Sequence, residues 1–383
     1  MRISRRGIMA GGAAVVAAAV PVSRALAAGR PPIVNSIALE KGRVWIAALI
    51  EGKGPHFFLI DTGSALSFIT DDFAKSIGLE KTKGQPRYGI GGGVSDYGWY
   101  IAKEVRLASG TRFADMVFAG ARSIDGEGVG GFGSGMFTSY DSDFDFVKGE
   151  WRVYPDGRGD FAGLKKLPSH FTKERIAPRI EIDVSIDGFA TELVLDTGAS
   201  MDALLSGRAA ARSGLWDDSK PYAPTQAKGF GREGIPSRYV RGTTLSVGEF
   251  TFERPLVMVN APGTVSRQNG LLGLGVLQRL NLTTQASSGT VWAARNGVTK
   301  GWNSYPLSGL WLDQRKDGGA TIADVGTGSP AAAAGLKKGD VVTGAFPELL
   351  RAIAGGPGKQ VTLTVASGGG APRAVQYTLA PWL

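Results

Sequence analysis

Two stretches of the chain, 43–79 and 179–215, carry the same order of apolar and polar segments. Each begins with a run of apolar and β-branched residues, at 44–50 and at 180–186, a composition typical of β-strands. In both stretches a glycine turn, a second apolar run, a third apolar segment and a short helical segment follow. The pattern therefore predicts two copies of one β-rich unit.

The helix boundaries in the two stretches also correspond. Thr70 and Ser206 precede the helical segments, and both are residue types that cap a helix N-terminus with a side-chain oxygen. Gly78 and Gly214 follow the same segments, where glycine commonly ends a helix in a left-handed conformation. We predict one short helix in each copy between these residues.

The tripeptide Asp-Thr-Gly ends the second strand of each copy, at 61–63 and at 196–198. Each copy thus places a carboxylate at the end of a buried strand, on a tight turn that glycine can make. Burying a carboxylate costs free energy unless the group is paired or hydrogen-bonded. We expect the two carboxylates to share that cost by facing each other.

Later segments of the two copies correspond as well. Glycine-rich stretches at 88–100 and 227–239 are predicted to form β-hairpin flaps. Each copy then continues through a second glycine motif, at 130–137 and at 270–277, toward a closing edge strand. The residues predicted to lie in the flaps are Gly91, Gly92, Gly229 and Gly231.

The composition limits the chemistry. The 383 residues are 43% hydrophobic and 20% charged, as in a soluble globular protein. The chain has no cysteine and only two histidines, so thiolate and His-rich metal sites are excluded and no metal or cofactor is expected. Part of the net charge of +9 comes from arginines near the N-terminus, and the other basic residues are scattered. We therefore do not expect nucleic-acid binding.

Residues 1–28 have the features of an export signal. The paired Arg5 and Arg6 precede an apolar segment, 8–22, that is too short for a comfortable membrane span. A small-x-small cleavage site follows at 25–27. We expect export to the periplasm or the exterior by the twin-arginine route. An ordinary secretory signal is the alternative, and membrane contact is expected only if the signal stays uncleaved.

The doubled Asp-Thr-Gly unit resembles the aspartic peptidases, pepsin-like in having two lobes in one chain and closer to retropepsins in lobe size. The resemblance points to an exported bacterial member. It implies a mainly β fold with two β-barrel-like lobes, at 29–160 and 179–300, related by a pseudo-two-fold axis. Residues 161–178 are then the linker.

The resemblance also implies residue roles. Asp61 and Asp196 would be the catalytic pair, in which the ionised carboxylate activates water and the protonated one polarises the scissile carbonyl. Because a serine after the tripeptide can hydrogen-bond the adjacent carboxylate, Ser64 predicts that Asp61 is the more acidic of the two. The residues expected to support the two loops are Thr62, Gly63, Ser64, Thr197, Gly198 and Ala199.

A hydrophobic-hydrophobic-Gly motif is expected behind each catalytic loop. Residues 271–273 read Leu-Leu-Gly and match it, whereas residues 131–133 read Gly-Phe-Gly. This departure predicts looser packing behind Asp61 than behind Asp196.

The C-terminal segment, 305–383, resembles a different kind of module. Residues 323–342, with Ser-Pro-Ala, Ala-Gly-Leu and Gly-Asp-Val-Val in order, resemble the core of an α+β PDZ domain. That resemblance implies binding of peptide C-termini by strand addition. The loop expected to bind them contains Ser308, Gly309, Leu310 and Trp311.

The sequence thus predicts an aspartic endopeptidase that acts on polypeptides, with a PDZ domain that recruits peptide or protein C-termini. One alternative is a catalytically weak or inactive peptide-binding protein in which the PDZ domain supplies the function. In another, the two lobes do not meet and each pairs with a second chain.

Overall fold

The protein is described by a computed structural model that is 47% strand and 10% helix, which confirms the mainly β prediction. The predicted export signal, 1–28, and the flap residues Gly91, Gly92, Gly229 and Gly231 lie outside the described residues. The structure describes residues 30–82, 86–88, 94–96, 98–124, 128–173, 177–228, 234–301 and 304–383.

The first lobe consists mainly of β-strands, with two short helices. Side chains of strand β2 (Arg43–Ile50) point alternately to the two faces of the sheet. Those on the core face are each 3% exposed or less: Val44, Ile46, Ala48 and Ile50. The elements of this lobe are β1 (Ile33–Glu40), β2 (Arg43–Ile50), β3 (Lys53–Ile60), β4 (Phe68–Thr70), α1 (Asp71–Ser76), β5 (Lys81–Thr82), β6 (Pro86–Tyr88), β7 (Val94–Asp96), β8 (Trp99–Leu107), β9 (Arg112–Ala121), β10 (Gly130–Phe132), α2 (Gly135–Thr138), β11 (Asp141–Asp145) and β12 (Glu150–Tyr154).

The second lobe repeats this plan. Its first long strand, β15, buries Ile180, Ile182, Val184 and Ile186 on one face, as β2 does in the first lobe. The remaining elements up to its end are β13 (Lys165–Lys166), β14 (Ser169–Phe171), β15 (Ile180–Ile186), β16 (Phe189–Asp196), β17 (Ala203–Leu205), α3 (Gly207–Ser213), β18 (Tyr222–Ala227), β19 (Ile235–Arg241), β20 (Thr244–Val247), β21 (Phe250–Glu253), β22 (Leu256–Asn260), β23 (Gly270–Gly273), α4 (Leu274–Leu277), β24 (Leu280–Gln285) and β25 (Thr290–Arg295).

Strand pairing shows that the two lobes share one topology. In the first lobe β10 pairs parallel with β3 and antiparallel with β4, and β4 pairs parallel with β9. In the second lobe β23 pairs parallel with β16 and antiparallel with β17, and β17 pairs parallel with β22. Each Asp-Thr-Gly loop therefore follows the equivalent strand, β3 or β16, of a matching four-strand unit.

The two lobes meet within one chain. Strands β11 and β24 pair antiparallel across the lobe boundary, with Ser142 opposite Thr284. The alternative in which each lobe pairs with a second chain is therefore not the arrangement seen here. The stretch 161–178, predicted as a plain linker, contributes two short strands: β13 pairs with β25, and β14 pairs with β15.

Local sequence signals gave the helices and hairpins correctly. The side chains of Thr70 and Ser206 accept backbone N–H groups at the starts of α1 and α3. Gly78 and Gly214 follow the two helices with φ of 82° and 69°, as predicted. Backbone pairing of β6 with β7 and of β18 with β19 forms both predicted hairpins.

The packing behind Asp61 is tight, so the prediction of looser packing is wrong. The Phe132 ring is fully buried and stacks on Phe58, with centroids 4.7 Å apart. A Cβ on Gly131 would lie 2.6 Å from a ring carbon of Phe68. The missing aliphatic side chain is thus replaced by aromatic rings from neighbouring strands, and glycine is required to admit them.

The C-terminal segment forms a separate five-stranded antiparallel sheet with its own core. It contains five strands and two helices, and the PDZ assignment stays a prediction. The elements are β26 (Leu310–Gln314), β27 (Ala320–Val325), α5 (Pro330–Ala333), β28 (Val341–Thr343), α6 (Phe346–Ile353), β29 (Gln360–Ala366) and β30 (Arg373–Thr378).

This module docks on the second lobe. The Tyr222 hydroxyl donates to Asp324 Oδ1 at 2.9 Å, and the Tyr222 amide donates to the Thr327 carbonyl at 3.3 Å. Arg238 lies over the Tyr222 ring, 3.7 Å from its centroid, and pairs with Asp324. Among the described residues, no helix has the length and apolar character needed to cross a membrane.

Candidate active site

The two Asp-Thr-Gly loops hold each other through reciprocal hydrogen bonds. The Thr62 hydroxyl donates to the Leu195 carbonyl at 2.9 Å, and the Thr197 hydroxyl donates to the Ile60 carbonyl at 2.7 Å. Each threonine hydroxyl also accepts the other threonine's backbone N–H, at 3.0 and 3.2 Å. Both side chains are buried, so the exchange fixes the two loops about a local two-fold axis.

Glycine lets the two loops approach. A Cβ built on Gly63 would lie 2.6 and 2.7 Å from the carboxylate oxygens of Asp196. A Cβ on Gly198 would lie 2.9 Å from the carboxyl carbon of Asp61. Each loop therefore presents bare backbone to the other lobe's carboxylate, which any larger residue would displace.

The residues after the tripeptides anchor the loops from behind. The carbonyl oxygen of Ser64 accepts the Ser134 amide at 2.7 Å, and that of Ala199 accepts the Leu274 amide at 2.7 Å. These equivalent contacts tie each loop to the segment that follows β10 or β23. The six residues predicted to support the loops thus all lie at the point where the lobes meet.

The two carboxylates form one hydrogen-bonded pair. Asp196 is 6% exposed and Asp61 is partly buried beside it. Burial raises the pKa of both groups, and the neighbouring Asp196 charge and hydrogen bond raise the pKa of Asp61 further. Two carboxylates this close hold a single proton between them over the range in which an isolated pair would both ionise.

The order of acidity is the reverse of the one predicted from Ser64. The Ser64 hydroxyl donates to the Leu66 carbonyl at 2.7 Å rather than to Asp61. Ser64 instead reaches Asp61 through its backbone N–H, at 3.0 Å. Asp196 accepts the backbone N–H of Gly198 at 2.7 Å and also that of Gly63. With more donors to its charged form, Asp196 has the lower pKa of the pair and Asp61 holds the proton.

Arg43 is a site residue that the sequence reasoning missed. Its guanidinium donates to the Gly198 carbonyl, and its charge lowers the pKa of both carboxylates. Tyr239, on β19, lies close enough for Arg43 to affect it, although burial raises the Tyr239 pKa to about 12. The available signal was the repeat itself, since Arg43 and Arg179 open the two matching stretches.

The predicted peptide-binding loop of the C-terminal module is largely covered. Ser308, Gly309 and Leu310 are buried, and Trp311 is partly buried. The Leu310 amide donates to the Ser308 hydroxyl at 3.1 Å, and the Gly309 carbonyl accepts the Gly326 amide at 2.8 Å. Strand β26 lies at the edge of its sheet, and no described strand pairs with its other side.

One group of side chains in the described part of the chain has the geometry to hold a metal ion. His170, Glu181 and Glu192 lie on adjacent strands with ligand atoms within 4.8 Å of one another. His170 is 57% exposed and lies within 3.5 Å of both carboxylates, so contacts among the three side chains themselves account for the arrangement. These residues belong to strands of the second lobe and contribute nothing to the Asp61–Asp196 pair.

Comparison with known protein families gives a match in each lobe. Two segments, residues 46–131 and 182–276, match the aspartyl protease family model, and they contain Asp61 and Asp196 respectively. The chain therefore has the two-lobed aspartic protease fold. No curated protein sequence is significantly similar to it.

A solved structure is also similar in outline. The aspartic proteinase from Irpex lacteus matches with a TM-score of 0.43 and 13% sequence identity, over 70% of this chain and 98% of that one. At this TM-score the likeness alone does not establish a common fold. The family match and the loop geometry carry the assignment.

Proposed function

We propose that the protein is an aspartic endopeptidase that hydrolyses peptide bonds with water activated between Asp61 and Asp196. The observation that carries the proposal is the hydrogen-bonded carboxylate pair, held by the reciprocal Thr62 and Thr197 contacts. A structural role alone would not require two desolvated acids to face each other, since burying them costs free energy.

In this proposal the two acids have different roles. Asp196, the more acidic, takes a proton from water as the water oxygen bonds to the scissile carbonyl carbon. Asp61 gives its proton to the carbonyl oxygen and so stabilises the tetrahedral intermediate. Return of a proton to the amide nitrogen then breaks the carbon–nitrogen bond and releases amine and acid products. The side chains that perform these steps form no covalent intermediate.

The flaps and the C-terminal module are assigned supporting roles in the proposal. The hairpins β6–β7 and β18–β19 would cover a bound polypeptide. The module would bind peptide or protein C-termini along the free edge of β26, raising the local concentration of substrate. Export to the periplasm or exterior, supported by the sequence of residues 1–28, would bring the enzyme to its substrates.

Digestion of a denatured protein mixture by wild type, Asp61→Asn and Asp196→Asn tests the proposal. We expect both variants to lose activity by about 10²–10⁴-fold, the usual contribution of a positioned acid or base. A circular dichroism melt shows whether each variant is folded. Cleavage that survives both substitutions in folded protein would exclude a mechanism based on the Asp61–Asp196 pair, the dyad. It would favour the peptide-binding alternative.

Binding of peptides with apolar C-termini, followed by fluorescence anisotropy, tests the module separately. A matched set of amidated peptides controls for the terminal carboxylate. Equal affinity for both sets, or no binding, would remove C-terminal recruitment from the proposal and leave the peptidase assignment unchanged.

A further inference from the structure

Two arginines occupy equivalent positions in the two lobes. Arg43 is the first residue of β2, and Arg179 directly precedes β15. Arg43 lies 18 residues before Asp61, and Arg179 lies 17 residues before Asp196. The repeat thus places one cationic side chain at the base of each lobe, next to the lobe boundary.

Each arginine reaches the catalytic loop of the opposite lobe. Arg43 of the first lobe donates through Nη1 to the Gly198 carbonyl of the second. Arg179 of the second lobe donates through Nη1 to the Gly63 carbonyl of the first, at 3.4 Å. Both side chains are partly buried. The lobes are therefore joined at the site by crossed arginine contacts as well as by the threonines.

The Arg43 contact is directly linked to the dyad. Its acceptor, Gly198, uses its own backbone N–H to bind Asp196 Oδ1 at 2.7 Å. Arg43 therefore holds the peptide unit that orients one catalytic carboxylate, and it places a fixed positive charge near both. A cation beside two acids favours the state with one negative charge over the neutral state.

We propose that Arg43 is a positioning residue for the dyad, which orients the Gly198 loop and extends the singly ionised, active state to lower pH. The proposal rests on the proposed function. Arg179 serves in it as the matched counterpart, which braces the Gly63 loop through a longer contact and has a smaller effect on the protonation of the pair.

Several titratable groups face Arg43. In the described part of the chain they are Asp61 at the end of β3, Asp196 at the end of β16, and Tyr239 on β19, with Arg179 at the opposite loop. Tyr239 has a pKa of about 12 and stays neutral over the acidic range. Among the described groups near Arg43, the Asp61–Asp196 pair is therefore the one whose protonation the test follows.

The test is the pH dependence of kcat/KM, between about pH 3 and pH 7, for wild type, Arg43→Gln, Arg43→Lys and Arg179→Gln. Loss of the Arg43 charge should move the acidic limb, which is the low-pH side of the profile where kcat/KM falls, to higher pH. At a pH on that limb, kcat/KM divided by its plateau value should be roughly tenfold lower for Arg43→Gln than for wild type. Arg43→Lys should keep the limb close to wild type, and Arg179→Gln should leave it in place.

The limb position, rather than the height of the plateau, decides the result, so partial loss of folded protein does not obscure it. If Arg43→Gln does not fold, Arg43→Met, which keeps an unbranched side chain, takes its place. An unmoved limb in the neutral variant overturns the proposal. So do equal displacements in Arg43→Gln and Arg179→Gln, or a displacement in Arg43→Lys as large as in Arg43→Gln.

Asp61→Asn, assayed in parallel, separates this inference from the proposed function. If Asp61→Asn retains full activity, the cleavage is not performed by the dyad and the proposed function fails. If Asp61→Asn is inactive while the limb of Arg43→Gln is unmoved, only the role of Arg43 is lost.

Discussion

The Thr62 hydroxyl connects the two lobes in two directions at once, since it donates to the Leu195 carbonyl at 2.9 Å and accepts the Thr197 amide at 3.0 Å. Thr62 is 3% exposed, so neither partner can turn to water if the hydroxyl is removed. The stability of the lobe interface and the geometry of the dyad therefore depend on the same buried oxygen.

Thr62→Val should destabilise the protein by about 1–3 kcal/mol, the cost of leaving buried polar partners unsatisfied. Thr62→Ser keeps the hydroxyl and should lose much less, so it is the matched control. Urea denaturation gives the free energies of unfolding, and the peptidase assay reports the dyad geometry. A valine variant that is as stable and as active as the serine variant would show that the threonine exchange is dispensable.

Gly63→Ala should reduce kcat strongly, because the new Cβ would lie 2.6 Å from an oxygen of Asp196. A displacement of about 1 Å in a catalytic group can cost about 10²-fold in rate. Overpacking of this kind also costs about 1–3 kcal/mol of stability.

Gly159→Ala is the control for that substitution, since a Cβ at Gly159 meets nothing within 4 Å. Both variants are compared by single-turnover cleavage of one peptide and by thermal unfolding. Equal kcat in the two alanine variants would mean that the loops can move apart without loss of function.

Local signals in the sequence predicted much of the fold and the central pair of the site. Asp61 and Asp196 were identifiable because each follows an apolar run and sits in a matching repeat. The helix caps Thr70 and Ser206 were identifiable because capping depends on residues three positions apart. Features that depend on neighbours in sequence were therefore predicted correctly.

Features that depend on distant neighbours were not. The Gly-Phe-Gly stretch suggested loose packing because the rings of Phe58 and Phe68 that fill the space come from other strands. The direction of the Ser64 hydroxyl, toward Leu66 two residues on, is an exception among the local features, because it depends on the loop's own backbone geometry. The Arg43 contact crosses 155 residues and the lobe boundary, so no local pattern indicates it.

The dyad should make stability depend on pH in a definite direction. Burial and the neighbouring carboxylate raise the pKa of Asp61 in the native state. Above the unfolded pKa of about 3.9, the native state therefore binds this proton more tightly than the unfolded chain does. The stability that Asp61 contributes is complete below that pH and is lost as the pH rises through the native pKa.

Asp61→Asn removes this titration. The free energy of unfolding of the variant minus that of wild type should therefore increase as the pH rises above about 4, and then level off. Urea denaturation at a series of pH values measures the difference. Asp115→Asn, at an exposed position of strand β9, controls for the loss of one negative charge at the surface. A difference that stays flat or falls with pH would contradict the assignment of the shared proton to Asp61.

The end of the chain should contribute to docking of the C-terminal module on the second lobe. The backbone N–H groups of Trp382 and Leu383 both donate to the Tyr305 hydroxyl at 2.9 Å. The Trp382 ring meets the Tyr305 ring edge-on, with centroids 5.1 Å apart, and both pack against Ala223 and Leu256 of the second lobe. The cluster includes Ala223, which is next in sequence to Tyr222, whose hydroxyl donates to Asp324.

Trp382→Ala should therefore loosen the module from the lobe and cost about 1–3 kcal/mol, less than the roughly 3–5 kcal/mol of a fully buried aromatic, because this ring is partly exposed. Tyr305→Phe keeps the ring and removes the acceptor, so it should cost about 0.5–1.5 kcal/mol. Tyr140→Phe, at a residue 52% exposed, is the control. Amide hydrogen exchange in β18 and β27 should become faster in Trp382→Ala and Tyr305→Phe but not in the control. Unchanged exchange in Trp382→Ala would show that the polar contacts of Tyr222 hold the module in place without the end of the chain.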